Sequence, residues 1–297
     1  MSDEVRSYYG RPILKAPEWT WEVPWYFFVG GLAGASSVLS LAAGLAGRPV
    51  LQSRTRAVAS AGAAISPVLL ISDLGRPKRF LNMLRVFKPT SAMSVGSWVL
   101  ALYGATANGA MALTVLGRLP RLRVLLDVAS GLLGLPMATY TAVLVADSSV
   151  PVWHEARHHL PYVFAGSAAA SAGAVAAVLV AAEESAPARR LAIGGVLVEL
   201  AAEEAMRRHL GEIGEVYEQG DTHRWHQVAR TSSAAGAAVM ALAGPRRRSL
   251  AAVGAGLIVT GSIAQRWAVY RAGFASVADP KYVVGPQRER LDAAAAS

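Results

Sequence analysis

The side chains able to do chemistry in this chain gather at one end of its apolar stretches. Glu22, Trp25 and Tyr26 open the first stretch, with Trp19 and Trp21 just before it, and Asp73 closes the second. Ser94, Ser97 and Trp98 open the third, and Thr139, Tyr140, Thr141 and Asp147 close the fourth. Glu199, Glu203 and Glu204 close the sixth, and Gln265, Arg266, Trp267 and Tyr270 close the eighth. Polar groups in apolar surroundings are costly to keep, so they mark pathways or sites. Tyr140 lies about five residues inside its stretch, roughly 7–8 Å deep at helical rise. A phenol there needs a hydrogen-bond partner, and either a carbonyl ligand arriving from lipid or a neighbouring helix would supply one.

Metal chemistry has fewer candidates. All six histidines, at 154, 158, 159, 209, 223 and 226, fall in two polar connections and none in an apolar stretch. The chain therefore offers no axial histidine for a haem inside a membrane. It has no cysteine, hence no thiolate-ligated iron–sulfur cluster and no disulfide. His223-x-x-His226 alone is too sparse for a zinc site. Any redox chemistry must use a diffusible carrier, with electrons delivered by another protein.

The elements that must position these groups are membrane helices. The chain is 53% hydrophobic and only 16% charged over 297 residues, whereas soluble domains carry about 25% charge. Eight spans are predicted, near 24–46, 57–74, 92–117, 124–146, 160–182, 188–206, 230–244 and 249–271. The seventh is short against the roughly 20 residues that cross a bilayer. The net charge of +9 is scattered over short connections. That is flanking of membrane helices and argues against a nucleic-acid partner. The N-terminus has no apolar core near its start, so no cleavable signal peptide is expected and the first span inserts the chain. The connections 47–56, 118–123 and 245–248 are short and basic, which places them in the cytoplasm and the polar ends outside, in a multi-pass plasma-membrane arrangement.

Local pairings suggest structural roles for several groups. Asp127 sits four residues after Arg123, and Glu203 and Glu204 sit four before Arg207 and Arg208. Asp73 has Arg76 nearby, the aromatics can form an interfacial belt, and Glu199 has no obvious local partner. Gly30 and Gly34, Gly131 and Gly134, and the small residues of 167–177 suit close helix approach. Residues 27–36 and 162–171 align without gaps, sharing Gly31/Gly166, Ala33/Ala168, Ala35/Ala170 and Ser36/Ser171, a hint of two four-helix halves.

The stretch from Tyr8 to Ser36, the motif Leu74-Gly75-Arg76-Pro77 with Arg79-Phe80 and the Met-Ser-x-Gly-Ser-Trp at 93–98, and the fourth span with its Thr-Tyr-Thr context resemble the NrfD/polysulfide-reductase membrane subunit family. The resemblance covers about residues 8–185, and the remainder by topology. It implies an all-α, haem-free protein of eight transmembrane helices in two four-helix bundles. The expected units are an N-terminal segment 1–23, a first bundle 24–148, a second bundle 149–272 and a tail 273–297. The resemblance further implies a four-cluster iron–sulfur partner serving a molybdopterin catalytic subunit, and menaquinone or ubiquinone bound near the partner's face. Tyr140 matches the family's quinone tyrosine. Asn and His are found at the start of the first helix in some relatives, where this chain has Trp19 and Glu22. Glu22, Trp25, Asp73 and Trp98 are the other expected quinone contacts, and Glu22, Asp73 and Glu199 the expected proton carriers. Arg76, Lys78, Arg79, Arg85 and Lys88 would form the docking surface. The substrate of the catalytic partner is open among formate, polysulfide and thiosulfate, with a formate dehydrogenase-like complex favoured. A multi-pass transporter or proton channel is the alternative; against it, apart from Pro67 and Pro136, both in the first half, no Gly- or Pro-broken helix pair stands at matching positions of the two halves.

Overall fold

The computed structural model describes residues 14–74, 78–242 and 247–283. Every regular element among them is helical. In chain order they are α1 (Glu22–Leu45), α2 (Pro49–Asp73), α3 (Lys78–Met83), α4 (Ala92–Leu116), α5 (Pro120–Ala146), α6 (Pro151–Glu155), α7 (Leu160–Leu179), α8 (Ala186–Leu210), α9 (Gly220–Leu242) and α10 (Arg248–Ala278). Two short 3₁₀ segments, Ala156–His158 and Gly211–Glu218, lie in the connections. Proline stands in the first turn of α2, α5, α6, α7 and α8, where its missing N–H removes no helical bond. Gly117, at φ 63°, ends α4 in the left-handed conformation that suits a residue without Cβ.

By length and composition, α1, α2, α4, α5 and α7 can each cross a membrane. The helices α8, α9 and α10 are as long; α8 carries charged residues along its length, α9 in its first half, and α10 only at Arg248, Arg266 and Arg271. The seventh stretch is part of a longer helix than its apolar residues indicated. Helix α9 begins ten residues earlier, at Gly220, and takes in the polar run through Arg230. His223 and His226 therefore lie on a helix and not in a connection, and His226 is buried.

Helices α1, α2, α4 and α5 pack on one another, as do α7, α8, α9 and α10, and α1 also touches α7 and α10. The aligned segments 27–36 and 162–171 thus sit on two helices in direct contact. Small residues permit the closest approaches. A Cβ at Gly34 would come within 2.6 Å of the Gly134 carbonyl oxygen, and one at Gly166 within 2.5 Å of the Glu199 amide. Dispersion across such backbone contacts holds helices together where lipid supplies no hydrophobic drive. Leu102, Val115, Leu132, Leu135 and Val143 point outward from α4 and α5 as an exposed apolar surface, the character expected of a lipid-facing wall.

One ion pair differs from the local expectation. Asp127 on α5 accepts two 2.7 Å hydrogen bonds from Arg56 on α2, both residues being buried. Arg123 is not its partner. A bidentate guanidinium fork satisfies both carboxylate oxygens, which a residue one turn away on the same helix does not.

Candidate functional site

The starts of α1 and α4 and the ends of α2 and α5 meet around a cavity of about 420 Å³. Its walls include Trp19, Val23, Tyr26 and Phe27 from the chain entering α1, Leu70 and Asp73 from α2, Met93, Gly96 and Ser97 from α4, and Tyr140 and Leu144 from α5. The volume lies within the range of about 300–1,000 Å³ typical of small-molecule sites.

Two tyrosines face each other in it. The Tyr26 hydroxyl is buried with no hydrogen-bond partner among the described residues. The ring of Tyr140 meets that of Tyr26 edge to face, with centroids 6.4 Å apart. The Tyr140 hydroxyl likewise makes no hydrogen bond to a described residue. Gly96 lets the Tyr140 ring lie against α4, because a Cβ there would collide with the ring. A buried phenol without a partner is costly to leave unmade. The Tyr26 hydroxyl is such a group, and Tyr140 lines the same cavity, so both are available as donors to a ligand there.

Acids stand at the rim. Asp73 Oδ1 accepts hydrogen bonds of 2.9 Å from both the amide and the hydroxyl of Thr20. The same hydroxyl contacts the Glu22 carboxylate. A threonine hydroxyl carries one hydrogen, so it donates to one carboxylate and accepts from the other only when that one is protonated. One threonine hydroxyl thus links the two carboxylates, from α2 and from the start of α1. Trp19 forms a roof: it stacks on Trp153 of α6 at 5.3 Å, and its carbonyl accepts a 2.6 Å hydrogen bond from Tyr270 of α10.

Tyr140 also lines a second, larger hollow of about 650 Å³ between α4, α5 and the segment carrying His154, Arg157 and His158. The tyrosine thus stands between the inner cavity and an outer groove.

Of the residues expected from sequence, Tyr140 and Asp73 come together in the cavity; Glu22 does not line it, but is linked to Asp73 through Thr20. Trp25 and Trp98 do not line it. Trp25 meets Phe28 edge on at 6.4 Å. Trp98 meets Phe87 at 6.3 Å, and its indole N–H has no partner among the described residues. Glu199 is buried among α7, α8 and α10, away from the cavity lining. Of the docking residues, Arg85 is exposed on the stretch after α3. Arg76 lies outside the described residues, and Lys78 and Arg79 are placed only as part of α3. Glu203 pairs with His226 and not with Arg207, whereas Glu204 does take Arg208, at 3.0 Å. His223 bonds Gln227 instead of sharing a ligand with His226. Among the described residues no group of three or more histidine or acidic side chains could hold a metal ion.

Sequence reasoning missed Thr20 and the cavity role of Tyr26. Tyr26 stands one turn after Glu22, so helical spacing puts both on one face of α1; that signal was available, but a tyrosine at a membrane edge also fits an aromatic belt. A family model described as polysulfide reductase, of the NrfD type, matches residues 5–214. None of the curated proteins matches the chain.

Proposed function

The chain belongs to the NrfD-type polysulfide reductase family of multi-pass membrane proteins, and we propose that it is the quinone-binding subunit of a molybdopterin oxidoreductase complex, spanning the membrane eight times as two four-helix bundles. The observation that carries this reading is the pair of tyrosines without hydrogen-bond partners among the described residues, in a cavity lined by Asp73, which Thr20 links to Glu22.

A quinone supplies two-electron, two-proton chemistry. The residues of this chain fit its head group. Tyr26 and Tyr140 offer hydrogen-bond donors to carbonyl oxygens. Val23, Phe27, Leu70 and Leu144 give apolar walls for a ring, and the outer groove beside Tyr140 opens toward the lipid-facing side of α4 and α5, a path for an isoprenoid tail. Asp73, Thr20 and Glu22 pass a proton between the cavity and the aqueous edge: the hydroxyl reorients from one carboxylate to the other as the proton moves. With six histidines set outside the apolar helix interiors or engaged by Glu203, and no cysteine, electrons must reach the site by tunnelling from a cluster in a partner. An iron–sulfur subunit docked over α3 and the basic residues around Arg85 would place that cluster at the cavity's own end of the molecule. Electrons and protons then exchange on one face, which we assign to the outer side of the plasma membrane. The catalytic partner, whether formate dehydrogenase-like or polysulfide or thiosulfate reductase-like, sets the substrate.

A photoreactive quinone analogue tests the site. After illumination of membranes, adducts are expected on peptides containing Trp19–Phe27, Leu70–Leu74, Met93–Ser97 and Tyr140–Leu144. Labelling confined to α8–α10, or none that excess quinone competes away, overturns the assignment.

A further inference from the structure

The second group of helices encloses a set of ionisable side chains that the quinone reading does not use. Glu199, Glu203, His226 and Arg266 are each at most 5% exposed. They form one connected series. Arg266 interacts electrostatically with Glu199, and Glu199 with Glu203 one turn along α8. Glu203 contacts His226 Nε2, and the Tyr217 ring lies 5.6 Å from that imidazole. The packed neighbours contribute no further charge at the inner end. Helix α7 offers the Phe164 carbonyl, which accepts a 2.9 Å hydrogen bond from Arg266, and the Ser167 hydroxyl. Helix α1 offers only Gly31. At the outer end Arg207, Arg208 and Arg230 are all taken up by Glu204, and Arg207 by Glu218 as well.

Many polar atoms here lack partners among the described residues: Glu199 Oε2, both ends of the Gln265 amide, Nε and Nη1 of Arg266, and the hydroxyl of Tyr217. Buried polar atoms in proteins are almost always satisfied, by ordered water when no side chain serves. The formal charges do not balance either. One guanidinium and two carboxylates with a neutral imidazole sum to −1. A net charge in an apolar interior is expensive, and one added proton removes it.

We infer that Glu199, Glu203, His226 and Arg266 form a hydrated site that binds one proton and exchanges it with the aqueous edge beside Tyr217. The site lies close to the cavity. Arg266 sits 3.7 Å over the ring of Phe164, and Phe164 packs at 5.9 Å on Phe27, a cavity wall.

Proton counting on the purified full-length chain in nanodiscs tests this without any quinone, so its outcome is separate from that of the labelling experiment. Proton uptake is measured between about pH 9 and about pH 5, a window outside which ordinary carboxylates and lysines titrate. Glu199→Gln and Glu203→Gln each remove one negative charge, and each is expected to take up one proton fewer than the parent. His226→Gln leaves the charge deficit in place and is expected to keep the proton. The reverse pattern, with the histidine variant losing the proton and the glutamine variants retaining it, would reveal an ordinary histidine and overturn the proposal. So would equal uptake by all four proteins. Melting curves confirm folding, and any one glutamine variant that folds suffices alongside the histidine variant.

Discussion

Replacing Tyr140 by phenylalanine isolates one oxygen atom. The ring stays, so its edge-to-face contact with Tyr26 and its fit against Gly96 survive. The hydroxyl bonds no described residue, so the unliganded protein should melt at an unchanged temperature. Only a bound carbonyl notices the loss. A neutral hydrogen bond contributes about 0.5–1.5 kcal/mol net, which at about 1.4 kcal/mol per decade is roughly a two- to twelvefold weaker binding of a quinone analogue. Tyr26→Phe should cost a similar factor, and the double variant the product of the two if each phenol serves a separate carbonyl. Binding is read by saturable quenching of Trp19, which lines the same cavity, with Trp19→Phe as the blank. Tyr140→Phe binding the analogue as tightly as the parent would refute the donor role. A large drop in melting temperature would show instead that the hydroxyl has a structural partner.

Three further outcomes follow from the geometry. Asp73→Asn removes one acid from the threonine-bridged pair; in the membrane complex it should slow quinol-linked turnover about a hundredfold, the lower end for a lost acid–base group, with analogue affinity held within about twofold. Arg56→Met leaves the Asp127 carboxylate buried and alone, so it should destabilise the protein by about 3–5 kcal/mol, and adding Asp127→Leu should restore most of that, both read from thermal melting. At the start of α7, burial, and then the neighbouring His209 and His158, hold the His159 imidazole below its ordinary value. The unfolded chain then takes the proton first, so stability falls as pH drops from about 6.5 through the lower native value. A His159→Gln variant should lose less melting temperature than the parent between about pH 7 and about pH 5.

What the sequence disclosed tracks how local each feature is. Apolar runs marked the positions of α1, α4, α5 and α7 because a membrane helix is written in consecutive residues. Helix α9 was seen only in its second half, since Gly220 through Ala229 read as a connection when nothing in the sequence shows that Glu203 lies across from His226. Asp127 was matched to Arg123 for the same reason: spacing along one helix is visible, whereas Arg56 is brought to it only by packing of α2 on α5. Tyr140 and Asp73 were legible as polar groups at the ends of apolar helices. Thr20 was not, because a hydroxyl gains its role only from two carboxylates more than fifty residues apart from one another in the chain, Glu22 and Asp73.

The roof over the cavity has an architectural consequence. Trp19 is pinned from above by Trp153 and Tyr270, which belong to the far half of the polypeptide. The residues that line the cavity all come from the first half, but without the second Trp19 would lose both of these contacts. The second half thus acts as a keystone for chemistry carried out in the first, fixing the position of the tryptophan that roofs it.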